Sequence, residues 1–292
     1  DVKRWPSGLR HLLYFFKITP ALFWCDWCLA LDTFSVALPT VMAAKLFNKK
    51  IIIRTGGDFL WEGYVERTGD LVLLKNFYQA SRNKWSLKEK LIFRLTRWIL
   101  NSAFVVFSTD WQRQIWVGPY NLNIERTAII ENYYGPKTPS EEPAQMNFIA
   151  STRKLKWKNL EKLSQAFSEA KNIIPGLILD TENTPYDVFF EKIRQAYAVI
   201  LVSLGDISPN MILDAIRCNT PFILTKETGL EDRLRDVGIF VDPENIENIK
   251  EKILWLANSE NYKVTKKRIQ NFNFTHDWTQ IAEEFLILPK TI

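Results

Sequence analysis

The chain has 292 residues, 47% hydrophobic and 24% charged, with a net charge of +5. That length suits two ordinary domains, and that balance suits a soluble globular protein. No apolar run approaches the ~20 residues of a membrane span, and the modest positive charge admits an anionic partner without selecting phosphate, acidic lipid or nucleic acid.

The N-terminal region is the most aromatic (Trp5, Tyr14, Phe15, Phe16, Phe23, Trp24, Trp27), interrupted by Lys17 and Asp26. Its "LLYFF" is too short for a signal peptide and lacks a cleavage site. Cys25 and Cys28 form a lone C-x-x-C. A redox or zinc site needs a second pair or histidine partners, and only His11 and His276 exist, so the two read as small core residues near a buried strand. With Cys218 as a helix-core residue, this usage suits a reducing cytoplasm.

Short apolar runs then alternate with helical patterns. The predicted strands are 51–54, 104–107, 127–130, 147–150, 176–179, 198–202, 221–224 and 238–241, rich in Val, Ile and Phe as parallel strands buried on both faces tend to be. Ser86 and Glu89 make a capping box before a helix at 87–100. On that helix Leu87, Leu91, Leu95 and Trp98 read as a core stripe, while Lys90, Arg94 and Arg97, with Phe93 beside them, line a face fit for an acidic membrane surface. Asn159 can cap 160–171, and Thr184, Pro185 and Asp187 open 185–196. Residues 133–147 hold three prolines and no periodicity, as a linker would. The β-α order on both sides of it predicts two doubly wound α/β domains facing a cleft.

The chemistry concentrates in "SLGDISPNMILDAIRCNTPFIL" (203–224). Ser208 as N-cap and Pro209 at the first helical position open a helix, with Asp206 in the preceding loop and Asp214 inside it. The helix mouth favours phosphate, while carboxylates repel it but accept from sugar hydroxyls, so Asp214 suits a ribose and Asp206 a second sugar. Earlier, "FIASTRKLKWKN" (148–159) carries Arg153 and Lys158 past another strand. Two cations beyond one strand and two acids beyond another describe a site for a nucleotide diphosphate joined to a sugar. Ser208, Asn210 and Met211 complete the donor side. In the first half, Gly56, Gly57 and Asp58 follow a strand end, where glycines let backbone approach a ligand, and Trp61, Glu62, Tyr64 and Glu66 read either as an acceptor wall or as simple packing.

These segments together resemble the retaining family-4 glycosyltransferases of the GT-B fold. Asp206, seven residues, then Asp214-Ala215 and Cys218-Asn219-Thr220-Pro221 match the family's E-x7-E region. Arg153 and Lys158 match its Arg-x4-Lys loop, Asn132 its Asn-containing loop, and Trp278 its C-terminal helix. Both acids are Asp where Glu is usual, shortening each reach by about 1.5 Å, and Ser151-Thr152 replaces a glycine. The second half reads as one βα unit short between 171 and 185. The chain begins at Asp1 without the family's opening strand and glycine-rich loop, which reads as an incomplete N-terminal domain.

The resemblance implies an acceptor-side domain (1–140), a nucleotide-sugar domain (141–275) and a C-terminal helix (276–292) returning to the first. It implies a metal-independent, retaining transfer from a nucleotide sugar to a glycan or lipid-linked acceptor, with no cofactor. Asp206, Arg153 and Lys158 are catalytic, Asp214 holds the donor, and Gly56, Gly57, Asp58 and Asn132 face the acceptor or cleft. The chain is expected in the cytoplasm, peripheral on the inner membrane face, with no nucleic-acid partner. Two alternatives stand: a catalytically silent nucleotide binder, and a metal-dependent glycosyltransferase using Asp180 and Glu182.

Overall fold

The computed structural model describes residues 7–150 and 153–291, so Trp5 and Ser151-Thr152 lie outside the described residues. In chain order the elements are α1 (Ser7–Leu22), β1 (Trp27–Ala30), α2 (Ala37–Leu46), β2 (Lys50–Arg54), α3 (Phe59–Thr68), α4 (Leu74–Ala80), α5 (Leu87–Asn101), β3 (Phe104–Phe107), α6 (Asp110–Tyr120) and β4 (Thr127–Ile129). They continue as β5 (Met146–Ile149), α7 (Leu160–Ile173), β6 (Leu177–Asp180), α8 (Tyr186–Gln195), β7 (Ala198–Leu201), α9 (Asn210–Arg217), β8 (Phe222–Thr225), α10 (Glu231–Leu234), β9 (Ile239–Val241), α11 (Ile246–Ala257), α12 (Ser259–Gln270) and α13 (Trp278–Thr291).

Every strand expected from the sequence forms, and β1 is added. Its four residues are half-buried except Ala30, so "WCLA" lacks the continuous Val/Ile run that marked the others. Cys28 lies in β1 and Cys25 just before it; both thiols are free and half-buried, packed against the core of the first unit.

The chain forms two compact units. One comprises the residues up to Leu60, Arg82–Glu131 and the residues from Trp278 onward. Its parallel sheet runs β1-β2-β3-β4. Ile51 and Ile53 pack with residues of α1 and α2 on one face. Ile52, Phe104 and Val106 pack on the other with Phe285, Ile281 and Leu288 of α13. Lys50 Nζ also donates to the carbonyl of Pro289 at 2.8 Å.

The face assignment on α5 is corrected. The capping box forms, with Ser86 Oγ accepting from the Glu89 N–H and Glu89 from the Ser86 N–H. The buried residues, however, are Glu89, Phe93, Thr96, Ile99 and Leu100. Phe93 stacks on Tyr120 with centroids 4.9 Å apart, and the stripe assigned to the core faces outward.

The second unit comprises Trp61–Ser81 and Asn132–Asp277. Its sheet is also parallel, in the order β6-β5-β7-β8-β9. Phe148, Ala198 and Ile200 face α7 and α11, whereas Ile149, Val199 and Leu201 face α8 and α9. Both faces are covered, which is why these strands read as unbroken apolar runs. Residues 133–147 lie along this unit, with the Thr138 N–H donating to Arg217 O at 2.7 Å and the Glu141 N–H to Arg194 O at 3.2 Å.

Three helix starts differ from expectation. Asn159 takes the left-handed conformation (φ 58°) and makes no side-chain cap. Its Nδ2 instead donates to Val202 O at 3.1 Å and Pro243 O at 2.7 Å, tying the start of α7 to the end of β7. α8 begins at Tyr186 behind Pro185 without a side-chain cap, and α9 begins at Asn210 with Pro209, not Ser208, at its cap position. Ser208 Oγ is buried without a partner. Asn159→Ala strands two buried carbonyls at once and should lower unfolding free energy by about 1–3 kcal/mol, read from urea denaturation midpoints.

Candidate active site

Reversal of strand order marks where a doubly wound sheet opens for ligand. In the second unit the chain goes from β5 out to β6 and then back across to β7, so the reversal falls between the carboxyl ends of β5 and β7. The first unit's strands follow sequence order without a reversal among the described residues. Lys158 follows β5 and Asp206 follows β7. Their side chains meet there, Lys158 Nζ lying 2.5 Å from Asp206 Oδ2, with both side chains only 12% exposed.

Three layers of bonding hold this pair. Ser203 Oγ donates to the same Asp206 oxygen at 3.1 Å, and the Asp206 N–H donates to Glu227 O at 2.8 Å. The two loops are stitched directly, the Leu204 N–H donating to Trp157 O at 2.9 Å. Lys158 Nζ sits 4.2 Å from the Trp157 ring centroid, whose π face favours the cation.

The third layer was not legible as such. Residues 61–81, which include the Trp61, Glu62, Tyr64 and Glu66 read as an acceptor wall, pack into this unit. Trp61 and Tyr64 are buried, Trp61 lying 5.5 Å from Trp157 centroid to centroid. Glu66 Oε1 accepts from the Lys156 N–H at 2.6 Å, and the Leu74 N–H donates to Leu204 O at 3.1 Å. Gly205 permits this approach, since a Cβ there would lie 2.5 Å from Leu74 Cβ. Lys75 Nζ pairs with Glu227 Oε1 at 2.5 Å.

The other expected residues fall as follows. Arg153 is exposed, and its side chain makes no hydrogen bond or ion pair with a described residue. Asp214 is buried, accepting from Arg217 Nη1 at 3.1 Å and from the Tyr186 hydroxyl at 3.2 Å. Asn210 is exposed at the start of α9, while Met211 packs against the core. Asn132 Nδ2 donates to Ser208 O at 3.3 Å. Within the first unit, Gly56 and Gly57 are exposed, and Gln112 Nε2 donates to Gly56 O at 2.8 Å. Asp58 is not presented for a sugar: it is buried, and its Oδ2 accepts from Trp116 Nε1 at 2.8 Å. Asp180 and Glu182 share Lys192, at 3.0 and 2.6 Å.

An open hollow of about 650 Å³ adjoins the strand ends, lined by Lys154, Asp180, Thr181, Glu182 and Asn183 among others. Among the described residues no cluster of His, Cys, Asp or Glu is arranged to hold a metal, and no helix is long and apolar enough to cross a membrane.

No family model matches the chain, and no curated protein matches it in sequence. Solved structures do match in backbone. Sucrose-phosphate synthase from Thermosynechococcus elongatus is 13% identical, with a TM-score of 0.67 over 94% of this chain and 76% of that one. Anabaena HepE in complex with UDP and glucose is 12% identical, with a TM-score of 0.69 over 95% and 81%. A glycosyltransferase from Rickettsia africae is 12% identical, with a TM-score of 0.59 over 99% and 82%.

The fold is GT-B. Both parallel units of this chain belong to it, and the Lys158–Asp206 pair lies in the loops that follow β5 and β7 of the second sheet.

Burial pushes two carboxyls upward. For Asp214 it outweighs the lowering by Arg217 and Tyr186, and for Glu227, whose Oε2 is buried without a partner, it outweighs the lowering by Lys75. An acid with a raised folded pKa binds more protons folded than unfolded, so its contribution to stability falls as pH rises from the usual carboxylate range through the raised value. Denaturation midpoints measured from pH 4 to 7 should therefore show a downward component that Asp214→Asn and Glu227→Gln remove.

Proposed function

We propose that the chain is a glycosyltransferase using a nucleotide-sugar donor. The observation that carries this reading is the Lys158–Asp206 pair at the strand-order reversal, built from the loops after β5 and β7. A diphosphate arriving there competes with the Asp206 carboxylate for Lys158 Nζ. The ammonium then neutralises the leaving diphosphate, where charge develops. Asp206, still held by Ser203, is released to accept from a hydroxyl of the transferred sugar.

Arg153, whose side chain has no partner among the described residues, supplies the second cation. Ser208, Asn210 and Met211 bring the start of α9 to the phosphates, and Asp214 turns from Tyr186 toward the ribose. Gly56, Gly57, Asp58 and Asn132 belong to the acceptor side, with Asp58 acting by holding Trp116 and its loop. The reading is of a retaining transfer without a divalent metal or other cofactor. Lys192 favours it, because it already balances Asp180 and Glu182, the carboxylates a metal would need. The acceptor class is a glycan or a lipid-linked glycan, the latter placing the chain at the inner membrane face. UDP accompanies HepE in its solved complex, which makes it the first nucleotide to try.

A catalytically silent nucleotide binder is the second reading. It is favoured by the fact that both acids are already paired, Asp206 with Lys158 and Asp214 with Arg217. Calorimetry with UDP, GDP and ADP separates the two when joined to turnover of the matching nucleotide sugars. Lys158→Ala and Arg153→Ala should each weaken diphosphate binding by about 1.5–3 kcal/mol, as for a charge-assisted contact. Asp206→Asn should lower turnover far more than affinity. Unchanged binding in both cation variants would remove the site assignment, and binding by the parent without turnover would establish the silent reading.

A further inference from the structure

α5 presents two opposed faces. At about 100° per residue, the buried Glu89, Phe93, Thr96, Ile99 and Leu100 fill one side. Leu87, Leu91, Leu95 and Trp98 share the opposite side, and three of them are open to solvent: Leu87 is 85% exposed, Leu91 55% and Trp98 40%. Lys88, Lys90, Arg94 and Arg97 flank or interrupt this stripe, all exposed, and none pairs with an acid among the described residues. The helix's one acid, Glu89, is buried in the capping box.

The stripe continues onto α2. Lys45 Nζ lies 4.8 Å from the Trp98 ring centroid, and Met42 and Leu46, on the same side of α2 as Lys45, are 48% and 69% exposed. α2 carries no acidic residue. The composite surface is thus apolar along its middle and of one charge sign around it.

We infer that the outer face of α5, with the exposed end of α2, docks on an anionic lipid surface. Charge complementarity selects this occupant. A protein partner would have to bury several long, hydrated cations individually, whereas a bilayer accepts the leucines into its acyl boundary while the cations remain at the headgroups. Trp98, flanked by Lys45, has the amphipathic shape favoured at that boundary. Each cation near such a surface adds attraction and none opposes it. The inference is independent of the donor site, so the assay below contains no nucleotide and its failure leaves the glycosyltransferase reading intact.

The test is co-sedimentation of the full chain with phosphatidylglycerol-containing vesicles and with pure phosphatidylcholine vesicles. Binding should occur to the first, not the second, and should fall with added salt. Arg94→Glu with Arg97→Glu should reduce it by about tenfold or more, and Leu87→Ser with Leu91→Ser should also reduce it, circular dichroism confirming that each variant is folded. Lys267→Glu with Arg268→Glu, a charge-matched change on α12, should leave binding as in the parent. Three results would each overturn the inference: equal binding to neutral vesicles, equal loss in the α12 control, or self-association through the stripe that Leu91→Glu disperses.

Discussion

A lysine and an aspartate held 2.5 Å apart, each 12% exposed, form the constraint around which the second unit is arranged. Removing two charges from water is costly, and mutual attraction offsets that cost only with good geometry and further hydrogen bonds. The loops supply both. Ser203 occupies the Asp206 oxygen that meets Lys158, the backbone of 204 is fixed to that of 157, and Asn159 ties the start of α7 to the carbonyl that ends β7. The loops after β5 and β7 are therefore coupled, and the pair is placed by backbone bonds more than by its own attraction.

A second constraint comes from residues distant in sequence. Trp61 packs against Trp157, Leu74 bonds the backbone of Leu204, and Gly205 has no room for a side chain. This contact explains why an aromatic segment that resembles a ligand wall is buried: its rings are the surface on which the strand-end loops rest.

The strand positions were legible because each is a short Val/Ile/Phe run between helix signals, and a sheet covered on both faces demands such runs. β1 was missed because this edge strand, half-buried except at Ala30, carries Trp and Cys in place of a Val/Ile run. That Lys158 and Asp206 stand beyond strand ends of one sheet was legible, but their direct contact was not, since spacing says nothing of side-chain reach. Asp58 and Asp214 show the same limit: each stands where a ligand contact was expected, yet one is held by Trp116 and the other by Arg217 and Tyr186. On α5 the period was read correctly and the face wrongly. Leucines suggested the core, but the capping box turned Glu89 inward and carried Phe93 and Thr96 with it. Asn159, a standard capping residue, instead spent its amide on two carbonyls from other parts of the unit.

The interleaving of the two units in sequence governs the order in which they can be completed during synthesis. Lys75 is made 152 residues before Glu227, and Lys50 is made 239 residues before Pro289. Trp61 and Leu74 thus emerge from the ribosome well before Trp157 and Gly205 exist to meet them, and the first sheet waits for α13 on one of its faces. Vectorial folding, in which an N-terminal domain matures before its successor appears, is unavailable to this topology. The loop-closure cost of such remote contacts falls on both halves together, which makes the nascent chain dependent on protection of its apolar segments until α13 has been made.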